Sequence, residues 1–164
     1  MSEQNAVVIV SGGAAVSPFT TPTEACRSGL AAGNTDTALR EALLGAGHQV
    51  FTSPARVGEG QVSEDTGWGG FSDGPAPLPA EMTVNCVGDI DLAGANLLNF
   101  WLYLQETFGI ETLDIVGHSM GGLFSRSAIR QAREQDSSLI IRSLTTVGTP
   151  WTGAFSADYA RGTI

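Results

Sequence analysis

The stretch Leu113-Asp114-Ile115-Val116-Gly117-His118-Ser119-Met120-Gly121-Gly122-Leu123 constrains this chain more than any other. A short apolar run ends in the pattern G-x-S-x-G, and a helix-compatible segment follows at once. The reading is strand, sharp turn, helix, with Ser119 at the tip. A turn that tight holds the serine in a strained backbone conformation and lifts its hydroxyl clear of the sheet edge. Residues two before and two after it crowd each other, so only very small side chains fit, and Gly117 and Gly121 supply them. The helix that opens at Met120 aims its unpaired N–H groups at the same spot, where negative charge develops on an attacked carbonyl oxygen. Ser119 is the candidate nucleophile, and the Met120 N–H is a candidate oxyanion donor.

The rest of the chain reads as strands alternating with helices. Ala6-Val7-Val8-Ile9-Val10 is a continuous apolar run, the mark of a strand buried on both faces of a parallel sheet. It opens into Ser11-Gly12-Gly13-Ala14-Ala15. Residues 16 to 34 read as loop, and Asp36 or Thr35 is the expected cap of a helix running to about Leu44, with Ala38, Leu39, Ala42 and Leu43 on its apolar side. Gly45-Ala46-Gly47 ends it, and His48 to Thr52 reads as a second strand. Residues 53–88 form a long loop rich in Gly, Pro and acidic residues. Within it, Trp68 and Phe71 read equally well as a wall of the acyl pocket or as two aromatics pinning the loop to the body of the domain. Asp89 to Phe108 is the strongest helix, with Leu97, Trp101, Leu104 and Phe108 at helical spacing and Gly109 as its stop. Asp89 and Asp91 suit its positive end and need no catalytic role. The helix after Ser119 runs to about Glu134, carrying Phe124, Ala128 and Ala132 four apart. After a turn at Asp136–Ser138, Ile140 to Val147 gives another strand, ending in Gly148-Thr149-Pro150.

On these residues the chain resembles the lipase and esterase branch of the α/β-hydrolases, whose elbow often reads G-H-S-M-G-G. The resemblance runs from Val7 to about Thr152. It implies a partial α/β-hydrolase fold: a mostly parallel sheet of about four strands with flanking helices, the last strand–helix units missing, in one incomplete domain over 1–164. In lipases the first strand commonly ends in His-Gly-x, and the N–H of x helps form the oxyanion hole. Ser11 stands where the family has His, while Gly12 matches, so the resemblance makes Gly13 the first oxyanion donor, with Ala14 one step behind. The Gly-Thr-Pro segment also matches lipases, where it leads into the lid or cap, expected here over 150–164.

A serine hydroxyl needs a histidine base, and that histidine needs an orienting carboxylate. In this fold both follow the serine. The stretch after Ser119 holds no histidine, and a further strand–helix pair would take ~30 residues. His118 neighbours the nucleophile in the elbow and is expected to point away from the hydroxyl; His48 is expected at the opposite end of the sheet. Glu134, Asp136 and Asp158 cannot complete a triad without a histidine. The chain then reads as the N-terminal part of a serine carboxylic-ester hydrolase, supplying nucleophile and oxyanion hole without the catalytic Asp and His. Alone it would be inactive, and an exposed apolar strand edge near Leu144 would take a complementary C-terminal segment or self-associate. The rival readings are a non-catalytic binding module or shortened pseudoenzyme and, within the same chemistry, a thioesterase or acyltransferase.

Composition adds exclusions. A formal charge of -9, with every basic residue an arginine, argues against nucleic acid or anionic membrane partners and says nothing positive about substrate; a small-molecule or lipid ester is what the resemblance implies. No metal site or cofactor is implied. The N-terminus lacks a leader pattern, so the expected location is cytoplasmic, or extracellular if a leader has been removed. Cys26 and Cys86 make no redox or metal motif. They read either as independent thiols or as a disulfide closing a loop of about 60 residues, worth ~4 kcal/mol if unstrained.

Overall fold

The computed structural model describes residues 4–13, 15–17, 31–62 and 77–162. Strand β1 (Asn5–Val10) leads through helix α1 (Ala31–Gly45) into β2 (Val50–Thr52). Two short strands, β3 (Ala55–Arg56) and β4 (Val84–Asn85), precede helix α2 (Ile90–Phe108). Strand β5 (Thr112–His118), helix α3 (Gly121–Glu134), strand β6 (Ile140–Val147) and the short helix α4 (Phe155–Ala160) follow. The main sheet has the order β2-β1-β5-β6, every pair parallel, so the architecture is the expected α/β one. In a parallel sheet all strands end on the same side, which brings the loops after β1 and β5 together.

The alternation of β1 assigns the two faces. Val7 and Ile9 point to one side, where with Val50 they pack against Leu39, Leu43 and Leu44 of α1. Ala6, Val8 and Val10 point to the other, into the larger core formed with Leu97, Trp101 and Leu104 of α2 and Phe124 and Ala128 of α3. Phe100 is also fully buried there, one position off the stripe read from the sequence.

Helix ends follow their local chemistry. Asp89 caps α2, its Oδ1 accepting from the Asp91 and Leu92 N–H groups at 2.9 and 3.0 Å. Gly109 closes it in the left-handed conformation at φ +67°. Gly47, at φ +84°, ends α1: its N–H and that of His48 return to the Leu44 and Leu43 carbonyls. That closure removes His48 and Gln49 from β2, which begins at Val50.

Two expectations are corrected. Asp36 and Thr35 do not cap α1, which begins at Ala31; Asp36 lies in its second turn with its carboxylate turned to tertiary partners. Nor is 53–88 all loop: β3 and β4 pair in parallel and a 3₁₀ turn spans Ala80–Met82, because the backbone of Ala55 exchanges hydrogen bonds with Ser17 while that of Pro54 and Arg56 accepts from Val84 and Cys86. Ala14, Cys26, Trp68 and Phe71 lie outside the described residues. Cys86 is buried, its Sγ within hydrogen-bond distance of the Ala15 and Arg56 carbonyls.

Asp91 does more than complement a helix end. Its Oδ1 accepts from Ser127 Oγ at 2.6 Å and Arg130 Nη2 at 2.8 Å, fastening the first turn of α2 to the middle of α3. The two helices approach closely there: a Cβ on Gly94 would stand 2.6 Å from Ser127 Cβ. Across the sheet, the β5–β6 register slips between Leu113 and Asp114, leaving Arg142 over between Ile141 and Ser143. Arg142 grips the Asp114 carboxylate through Nε and Nη2, and Ser143 Oγ donates to it at 2.6 Å.

The bond from Arg142 holds the Asp114 carboxyl below the usual carboxylate value, outweighing a partial burial that acts the other way. The stability so gained is full above the unfolded pKa and is lost as pH falls through the depressed one. Asp114→Asn should therefore lower the urea midpoint at about pH 7, with the deficit shrinking as the pH falls below the usual carboxylate range. In the core, Leu97→Ala should cost about 2–5 kcal/mol in urea unfolding. Half-exposed Leu92→Ala should stay within about 0.5 kcal/mol.

Candidate active site

Ser119 stands between β5 and α3 at φ +53°, in the left-handed region. For a residue with a Cβ this costs about 1–3 kcal/mol and persists only where the surroundings enforce it. Here they do. The Ser119 N–H donates to the Val147 carbonyl at the end of β6 (2.8 Å), while its carbonyl accepts from Gly122 N–H at 3.3 Å.

The glycines of the motif explain themselves as backbone approaches. A Cβ on Gly117 would lie 2.7 Å from the Cα of Gly122. One on Gly121 would overlap the Val10 carbonyl oxygen of β1, and one on Gly122 would stand 2.7 Å from Thr149 Cγ2. The last contact joins Gly122, the glycine after the G-x-S-x-G motif, to the Gly-Thr-Pro segment after β6. Three segments that end on one side of the sheet thus converge on the turn, meeting Gly117 and Gly121 with backbone and Gly122 with the Thr146 and Thr149 side chains.

The loop after β1 closes the site. A Cβ on Gly12 would lie 2.6 Å from Ser119 Cβ and 3.1 Å from its Oγ, and one on Gly13 would meet the Met120 side chain at 3.1 Å. The structure therefore brings together Ser119, Met120 and the Gly12–Gly13 backbone. Among the described residues, neither the Gly13 nor the Met120 N–H donates to a backbone acceptor.

The histidines lie elsewhere in their bonding. His118 Nδ1 is 3.1 Å from Asp36 Oδ1, on the α1 side of the sheet. His48 lies in the closure of α1 and precedes β2, at the sheet end opposite Ser119. Of the later carboxylates, Glu134 is paired with Arg130 at 2.9 Å, Asp136 sits in the turn after α3 at φ +50°, and Asp158 is on α4. Among the described residues no three His, Cys, Asp or Glu side chains come together to hold a metal ion.

Asp36 was missed as a tertiary residue. It accepts from Ser11 Oγ at 2.5 Å as well as facing His118, and burial raises its pKa against the opposing effects of both. The available signal was its place on α1: it lies three and seven residues before Leu39 and Leu43, on the inward stripe.

A family model described as "Putative serine esterase (DUF676)" matches residues 80–160, close to half of the chain, including Ser119 and the whole of β5, α3 and β6. No curated protein matches the chain. In fold and in the matched segment the chain is similar to an α/β-hydrolase-like serine esterase. The match supports a general esterase, hence hydrolase, function.

The contacts at the turn grade its tolerance. Gly121→Ala meets the backbone of β1, which cannot step aside, and should lower the melting temperature far more than Gly13→Ala, which meets the flexible end of Met120. Equal melting of the two variants would contradict this packing.

Proposed function

We propose that this chain supplies the nucleophile and oxyanion hole of a carboxylic-ester hydrolase of lipase or esterase type. The observation that carries the reading is Ser119 at φ +53° between β5 and α3, with the Gly12–Gly13 backbone against it. Ser119 Oγ attacks the ester carbonyl and gives up its proton. The Gly13 and Met120 N–H groups hold the negative oxygen, the alcohol leaves with the proton the base took from Ser119, and water then hydrolyses the acyl-enzyme to the carboxylic acid and free Ser119. Backbone donors placed beforehand at the developing charge are typically worth about 2.7–4 kcal/mol each in such reactions.

The base comes from outside this sequence, since His118 faces Asp36 and His48 precedes β2, at the sheet end opposite Ser119. A complementary segment would bring it. Strand β6 supports this: it is the last strand of the described sheet order, with Ile140 58% exposed. Beside it a cleft of about 460 Å³ opens between the end of α3 and β6, its lining half apolar, with Ile129, Leu139 and Leu144, and half polar, with Arg133, Asp136 and Arg142.

The test exploits the missing base. A positioned base contributes about 10²- to 10⁴-fold, and free imidazole in the buffer can replace part of that. Intact-mass detection of a fluorophosphonate adduct should show labelling that rises with imidazole concentration and disappears in Ser119→Ala. No adduct at any imidazole concentration, or one that survives in Ser119→Ala, overturns the reading.

A further inference from the structure

The β1–β5 ladder ends at the pair Val10 and Gly117. The next residues, Ser11 and His118, are the last before the Gly12–Gly13 loop and before Ser119. No rung of the strand ladder joins them. One side chain from a third element bridges the gap instead: Asp36 of α1 accepts a hydrogen bond from Ser11 Oγ on Oδ2 at 2.5 Å, and its Oδ1 lies at ion-pair distance, 3.1 Å, from His118 Nδ1 without a hydrogen bond between them. The Asp36 and His118 side chains are 15% and 19% exposed, so water screens the contacts little.

We infer that Asp36 is a positioning residue, its carboxylate tying the loop after β1 to the serine turn and so setting the separation of the Gly13 and Met120 N–H groups. The inference rests on the reading of Ser119 as nucleophile and of those two N–H groups as its oxyanion donors. Two donors on different segments act together only while the segments hold one spacing, and a displacement of about 1 Å can cost on the order of 10²-fold. Gly12 against Ser119 fixes how near the segments come; the carboxylate keeps them from moving apart. The position is costly as a fold element. Burial disfavours the charged carboxyl, and alanine is the better helix former in the middle of α1. A residue kept for stability alone would not be of this kind.

That contrast makes the test. Asp36→Ala relieves the buried charge but leaves the buried Ser11 hydroxyl without its acceptor, so the two effects oppose and its melting temperature should change little. Its maximal rate of fluorophosphonate labelling, in the imidazole-supplemented assay, should fall about 10- to 100-fold, with the half-saturating probe concentration unchanged. Asp36→Asn keeps an acceptor for the imidazole and a polar group for the serine, and should recover part of the rate. In ¹⁵N spectra of the whole chain, the amides of Gly12, Gly13, Ser119 and Met120 should shift in Asp36→Ala. Should Asp36→Ala fail to fold, Ser11→Ala cuts one arm and should shift the Gly12 and Gly13 amides and slow labelling in the same sense. Unchanged labelling rates overturn the inference, as does a loss of rate matched by a loss of melting temperature. If the wild-type chain takes no label, the nucleophile reading fails, and the tie is then judged by the amide spectra, where unmoved resonances refute it.

Discussion

The turn at Ser119 is a backbone collision avoided by glycine, and much of the molecule exists to hold it. Gly121 lies under the Val10 carbonyl, Gly117 on the Cα of Gly122, and Gly122 under Thr149. These contacts fix α3 against β1, β5 and the segment after β6 at the shortest range the chain allows. Ser119, at φ +53°, carries the strain of the turn that joins β5 to α3 within those contacts. The strain is offset by the apolar core beneath, where Val8, Val10, Ile115 and Phe124 are fully buried.

Around that centre, polar ties fasten elements that apolar packing alone would leave free to slide. Asp91 joins α2 to α3, Arg142 fills the register slip between β5 and β6, and Asp36 spans the open end of the β1–β5 ladder. Each links two elements whose relative shift would move Ser119 or its neighbours. The first two carboxyls are held below their usual pKa by their partners, and Asp36 is raised by burial. Their pH signatures are opposite in sign: the ties at Asp91 and Asp114 weaken in acid, whereas the charge on Asp36 costs stability as pH rises through its raised pKa.

The pattern of the fold was legible where periodicity and punctuation agree. The apolar run of β1, the stripe of α2 with Asp89 before it and Gly109 after it, and the G-x-S-x-G turn all carry local signals strong enough to stand without tertiary help. What escaped is of another kind. Strands β3 and β4 are two residues long, below any periodic signal, and exist because neighbouring backbone offers them partners. Asp36 looked like a cap because aspartate favours helix starts. Its actual role depends on Ser11 and His118, distant in sequence and adjacent only once the sheet has formed. The departure from the usual histidine at Ser11 was visible from the start; its partner was not.

The account stands or falls on whether Ser119 becomes acylated. Incubation of the chain with an activated aryl ester in imidazole buffer, followed by intact-mass and peptide mapping, asks this directly. An acyl group on Ser119, absent when Ser119 is replaced by alanine, is the predicted result. A chain that stays unmodified, or carries the acyl group on another residue, would contradict it.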